Sequence, residues 1–274
     1  MYKEHYCFAT PGDATSLWRY MDLGKFVSLL QKRALWFALP STLGDAWEGC
    51  YPIGNFDRET ISARIDSLGL DKKESELLVR SAIDTVSNPY VRDLCGVSCW
   101  HAGDESDALW KLYSAGTGIA VASSVQRLKE ALGDDPTYVY LGAVSYLNEE
   151  QAVFPTENGF WSLLWKRRAF AHEREVRAVV DMDRATMEAV QAQIFSPPGS
   201  KPIQLPTAGR YVSVDAGKLV EAVYVGPSAP TWFAEAVESL VSHYGLGCHV
   251  RRSKLAALPP ALSLLGKNKS GGEA

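Results

Sequence analysis

The stretch Lys166–Val180, KRRAFAHEREVRAVV, decides how this chain is read. A basic run, Lys166, Arg167 and Arg168, leads into an acidic pair and then into apolar residues of period two, Val176, Ala178 and Val180. That period marks a strand with a buried face. A strand opening at the pair would set Glu173 and Glu175 side by side on one face, roughly 6–7 Å apart. Like charges at a strand mouth are solvated, paired with cations, or used. Arg174 and Arg177 supply the cations for an ordinary ion pair, and a cleft supplies the alternative.

Upstream of this strand the spacing predicts an element at nearly every apolar run. Trp18-Arg19-Tyr20 reads as a strand, and Asp22 caps a helix running to about Arg33. Leu35 to Leu39 reads as a second strand, ended by Pro40 and a turn. Helices follow over Arg58 to Leu68 and Lys72 to Val86, then a strand over Gly96 to His101 and a helix through Ala108, Leu109, Leu112 and Tyr113. A strand at Ile119 to Ala122 and a helix at Val125 to Leu132 come next. Thr137 to Tyr146 alternates as one longer strand, and Phe160 to Ala169 reads as a helix rich in Trp and Leu.

Downstream, a helix over Asp183 to Ile194 precedes strands at Tyr211 to Val214, Ala222 to Val225 and Cys248 to Arg251. The Thr231 to Tyr244 helix lies between the last two. Helices and strands interleave without a regular βαβ period. The expectation is an α+β single domain over residues 1–258, with a mixed, mostly antiparallel sheet flanked by helices. The Gly- and Lys-rich tail, residues 259–274, is expected to be disordered.

Composition narrows the function classes. With 274 residues, 46% hydrophobic and 22% charged, the chain has the make-up of a globular protein with a sizeable core. A net charge of -4 argues against a phosphate-backbone surface, so nucleic acid is not an expected partner. The first residues, MYKEHYCFAT, hold no apolar stretch of signal-peptide length and no later run approaches membrane-spanning length; with five cysteines, an odd number, reduced thiols in a cytoplasm are expected. Cys95, Cys99 and His101 match no usual zinc spacing, so no metal is expected there.

Four segments taken together carry a resemblance. They are TrpArgTyrMet from Trp18, PheAlaLeuProSerThrLeuGlyAspAlaTrpGlu from Phe37 to Glu48, SerCysTrpHis with LeuTrpLysLeuTyr between Ser98 and Tyr113, and PheAlaHisGluArgGluValArg from Phe170 to Arg177. In order and spacing the set resembles the bacterial family catalogued as domain of unknown function 2971, from about Trp18 to Ser253. That family usually shows Asn-Asp-Pro-Phe-Glu where this chain has Gly44-Asp45-Ala46-Trp47-Glu48, and often a His where Thr117 stands. Asp45, Glu48, Trp110, Tyr113, Glu173, Glu175 and Arg177 keep the pattern.

The order of parts is also similar to that of ADP-ribosyltransferases, with NAD as substrate. The similarity implies Arg19 with Tyr20 on a first strand, Ser41 with Thr42 after a second, and Glu173-Arg174-Glu175 opening a late strand. Glu175 would be the essential carboxylate, facing the oxocarbenium-like charge that forms on the ribose, and Glu173 would orient the acceptor. An arginine such as Arg19 suits the pyrophosphate, and an aromatic ring suits nicotinamide. Two other readings stand beside this one. Asp45, Glu48, Glu173 and Glu175 could hold Mg²⁺ for a hydrolase or nuclease. Alternatively, Trp47, Trp100, Trp110, Trp161 and Trp165 could line the pocket of a non-catalytic ligand- or partner-binding module of a bacterial defence or conflict system.

Each residue also has an ordinary use. Arg19 would pair with Glu173 or Glu175 as a buried ion cluster, and Asp45 and Glu48 would cap a turn. Trp110 and Tyr113 would pack in a core. Lys166 to Arg168 would sit at a helix C-terminus, and His101 and His172 would be hydrogen-bonded structural residues. The hydroxyls of Ser41 and Thr42 would satisfy a turn.

Overall fold

The chain alternates short strands and helices in the order β1 (Ser16–Met21), α1 (Leu23–Lys32), β2 (Ala34–Ala38), α2 (Arg58–Asp66), α3 (Lys72–Ser87), β3 (Cys95–Ala102), α4 (Asp107–Ser114), β4 (Ile119–Ser124), α5 (Val125–Ala131), β5 (Tyr140–Ala143) and β6 (Ser145–Leu147). There follow α6 (Phe160–Leu163), β7 (Trp165–Arg167), β8 (Glu175–Asp181), α7 (Arg184–Ile194), β9 (Gly209–Ser213), α8 (Ala216–Leu219), β10 (Ala222–Val225), α9 (Thr231–His243) and β11 (His249–Arg252). In this computed structural model the described residues are 1–257, apart from 67–68, 70, 89, 115–116, 134, 151, 156–157, 197–199 and 202–203. The expected disordered tail lies outside them.

Among the described residues nine strands form one sheet, antiparallel except where β11 runs parallel to β10, and β6 with β7 makes a small parallel ribbon. The fold is α+β. Its core collects the inward stripe of α1 (Phe26, Leu29, Leu30), the β1 residues Leu17 and Met21, and the β3/β8 residues Trp100, Val176, Ala178 and Val180. The period-two run that opened the sequence reading supplies three of these.

The way β3 is shared shapes the rest of the molecule. Strand β8 occupies one edge of β3 along seven register pairs, from Cys95–Asp181 to His101–Glu175. A strand has only two hydrogen-bonding edges, so β1 and β2 share the other. Strand β1 takes its end, at Leu17–Ala102 and Trp18–His101, and β2 touches it at Ala38–Val97. Between these contacts the sheet forks. Strand β1 continues into β4 and β10, β2 continues into β9, and α1 joins the two prongs.

Two predicted elements differ. Phe160 to Ala169 is not one helix: α6 ends at Leu163, and Trp165–Arg167 turns extended to pair with Ser145–Leu147. A short apolar run fits a buried helix or a buried strand equally, and long-range pairing decided for the strand. Thr137 to Tyr146 is likewise broken, because β5 pairs with β8 and the chain then changes partner to β7. Among the described residues no helix is long and apolar enough to cross a membrane.

Candidate functional site

Glu173 and Glu175 do come together, though not by strand alternation. Glu173 closes a 3₁₀ turn over Arg168–Glu173, Arg174 adopts a left-handed φ of 42°, and Glu175 is the first residue of β8. A non-glycine residue in that region is uncommon, and here it reverses the chain so that both carboxylates face inward. Lys166 is the centre they face. Its Nζ lies 2.5 Å from Glu173, 2.9 Å from Glu48 and 3.1 Å from Glu175.

Beneath this, Arg177 is wholly buried and donates from Nε to Glu175 at 2.7 Å, from one terminal nitrogen to Glu48 at 2.6 Å, and from the other to the Leu163 carbonyl at 2.7 Å. Residues Glu175 and Arg177 share a face of β8 because they are two apart. Three carboxylates and two cations thus form one cluster of net charge -1, almost out of water. Burial alone would raise the Glu175 carboxyl, but Arg177 and then Lys166 outweigh it and hold it at about 2. Burial opposes the Lys166 charge in turn, and Glu175 with Glu48 pushes its pKa above the ordinary lysine range.

This corrects several expectations. Lys166 is no helix-end cation; it lies on β7 inside the cluster. Glu48 caps nothing, since it binds Lys166 and Arg177. Arg177 is sealed at 0% exposure and cannot touch a ligand. Arg19 pairs with neither Glu173 nor Glu175. Asp45 does take the Trp47 N–H at 3.2 Å, as a turn residue would, and also binds Arg167 at 2.8 Å.

The cluster forms part of the wall of a cavity of about 990 Å³ that fills the fork between β1 and β2. Of the residues singled out from the sequence, Arg19, Tyr20, Thr42, Asp45, Glu48, Tyr113, Glu173 and Glu175 line it; Ser41, Trp110 and Arg177 do not. Trp110 is fully buried, donates to Glu105 at 2.8 Å and packs edge-on against Tyr20, 5.0 Å away. Tyr113, three residues on, is 48% exposed and donates its hydroxyl to Glu173 at 2.8 Å. Ser41 gives its backbone N–H to Asp93 at 3.0 Å, and Thr42 gives its hydroxyl to the Leu39 carbonyl at 2.7 Å. Only the Thr42 hydroxyl serves the turn; the Ser41 bond is its backbone's and ties the turn to Asp93. His101 faces backbone carbonyls with both ring nitrogens, Glu173 at 2.6 Å and Asp104 at 3.0 Å, so it holds the Glu173 turn, as a structural histidine would. His172 is exposed at the cavity wall.

Arg19 occupies the crotch of the fork. It donates to the Ser98 hydroxyl and, at 3.3 Å, to the Trp36 carbonyl, and its guanidinium stacks 5.5 Å from the Trp100 ring centre. No carboxylate lies within ion-pair distance among the described residues. Burial lowers its pKa to about 10, so it is charged at neutral pH. The sequence reading missed Trp36 and Tyr211, which line the same cavity and meet edge-to-face at 4.7 Å. Their cue was available only as strand alternation in β2 and β9.

No family model matches the chain, nor does any curated protein or solved structure. The likenesses drawn above therefore rest on the residues that carry them. Among the described residues no group of three or more His, Cys, Asp or Glu is arranged to hold a metal ion. The four carboxylates that suggested such a site from sequence are held in ion pairs, with Lys166, Arg177 and Arg167.

The cluster makes stability depend on acid. Glu175 sits at about 2 in the fold against an ordinary 4.5, so the unfolded chain binds more protons between those values. Its contribution is complete above about pH 4.5 and is lost as pH falls through about 2. Urea midpoints are expected to hold steady from about pH 7 to 5 and then fall across that window, less steeply in Glu175→Gln. A midpoint flat from about pH 5 to 2 would show that the carboxylate is not held by its cations.

Proposed function

We propose that the fork is a binding pocket for a small anionic ligand of the nucleotide type, and that its catalytic version is ADP-ribosyl transfer from NAD. The observation that carries this is Arg19: a charged guanidinium without an acid partner among the described residues, held open in a cavity walled by Trp18, Tyr20, Trp36 and Trp100. An ion in such surroundings costs free energy unless something completes it. Only two of its five N–H donors are engaged among the described residues, leaving a fork suited to a phosphate. Rings bearing a flat base fit the aromatic walls.

In the transferase version, the bond from the ribose anomeric carbon to nicotinamide breaks, and nicotinamide leaves with the electron pair. The acceptor bonds to that carbon and its proton passes to solvent water. A carboxylate at the pocket wall steadies the positive ribose. Glu173 takes this role better than Glu175, because Glu175 is bound by both Arg177 and Lys166 and removing it strips a buried arginine of one of two acids. Folding would suffer in Glu175→Gln, so Glu173→Gln is the cleaner test.

The experiment is calorimetric titration with NAD followed by assay of released nicotinamide, with and without EDTA. Binding with turnover that survives EDTA and drops by at least about 100-fold in Glu173→Gln is the expected result. Binding without release would leave a ligand-binding module and remove the transferase. Turnover abolished by EDTA would point to a metal-dependent enzyme instead. No binding of any nucleotide would overturn the pocket reading.

A further inference from the structure

The cavity is larger than a single phosphate-bearing ring requires. At about 990 Å³ it stands at the upper end of the ~300–1,000 Å³ usual for small-molecule sites. Its two sides differ in chemistry. On the β2 side, Trp36 and Tyr211 present an aromatic corner, with the Tyr211 hydroxyl 3.0 Å from that of Ser28. On the β1 side, α4 packs through Leu109 and Trp110 against Tyr20 and presents Tyr113, bonded to Glu173 at the edge of the net-negative cluster. Arg19 stands where the two prongs part, reaching from β1 to the Trp36 carbonyl of β2.

From this arrangement we infer that the pocket takes a two-ended ligand. A flat ring rests in the Trp36–Tyr211 corner, an anionic linker meets Arg19, and a second group, cationic or rich in hydroxyls, lies at Tyr113 and Glu173. The Glu173 carboxylate and the Tyr113 phenol oxygen, whose proton goes to Glu173, both accept from sugar hydroxyls, and the negative charge favours a cation. It repels a terminal phosphate. The ligand class is therefore a nucleoside diphosphate carrying a further group, in preference to a free mononucleotide or diphosphate. This rests on the nucleotide reading of the same cavity, and it adds that the two ends are read by different residues.

Titration of AMP, ADP, ADP-ribose and NAD against the wild type, Tyr211→Ala and Tyr113→Phe tests it. Both side chains are substantially exposed, so neither change should disturb folding. ADP-ribose and NAD are expected to bind at least about tenfold tighter than ADP. Tyr211→Ala should weaken all four by a similar factor, about tenfold, as loss of a stacking ring does. Tyr113→Phe should weaken ADP-ribose and NAD several-fold and leave AMP and ADP unchanged. Equal losses for all four ligands in Tyr113→Phe, or ADP binding as tightly as ADP-ribose, would overturn the two-ended ligand while leaving a nucleotide pocket. Failure of all four to bind the wild type would remove both.

Discussion

Replacing Arg177 with methionine is expected to destabilise the protein by about 3–5 kcal/mol, the usual cost of breaking a buried ion pair from one side. Methionine fills much of the same volume, so the loss would be electrostatic and not a cavity effect. Two carboxylates, Glu48 and Glu175, would lose a partner at 2.6 and 2.7 Å, and the Leu163 carbonyl would lose its donor. Lys166 alone would remain to hold three acids. The acids would respond by taking up protons, so the variant should regain part of its stability as pH is lowered from about 7 to 5, a range over which the wild type holds steady. Denaturant midpoints at several pH values check both statements. A loss under about 1 kcal/mol would mean that water reaches the cluster and screens it. Such a result would also weaken the case that Glu173 is rigidly placed, since the same lysine positions it.

How much of this cluster the sequence announced depends on chain separation. Glu175 and Arg177 are two apart on a strand with a clear period, and their pairing was legible. Glu48 lies 129 positions from Arg177, and nothing local specifies that contact. It follows from β2 and β8 both flanking β3, a closure that propensity does not encode. The same limit explains Lys166. Three basic residues after a Trp- and Leu-rich run read naturally as a helix end, yet the ribbon with Ser145–Leu147 turns the segment extended and Lys166 inward.

The fork was not legible either. Each of β1, α1 and β2 was visible from periodicity and from the Asp22 cap, which accepts the Lys25 N–H at 2.8 Å. That β1 and β2 would divide one edge of β3 is a matter of register, and register comes from the packed faces as a whole. Arg19 illustrates the consequence. Near apolar neighbours a sequence reader expects a charge to find its opposite, and Glu173 and Glu175 were the natural candidates. The split instead gives Arg19 a hydroxyl and a carbonyl, two neutral acceptors that orient it without discharging it.

Replacing Arg19 with glutamine is accordingly expected to weaken ADP and NAD binding by about 10–100-fold, the ~1.5–3 kcal/mol carried by hydrogen bonds to a charged partner. Folding should change little, because glutamine retains a donor for Ser98 or the Trp36 carbonyl, and no acid is left stranded by the loss. In this respect Arg19 is the opposite of Arg177, whose charge is fully matched inside the protein. Arg19→Lys separates charge from shape: a point charge replaces the planar fork, so affinity should fall by an intermediate amount. Raising salt from about 50 to 300 mM should weaken binding in the wild type and much less in Arg19→Gln. Calorimetric dissociation constants, with urea midpoints as the control for folding, are the measurements required. Unchanged affinity in Arg19→Gln would show that the guanidinium props the fork open and does not meet the ligand, and the anion at the centre of the proposed function would have no counter-charge.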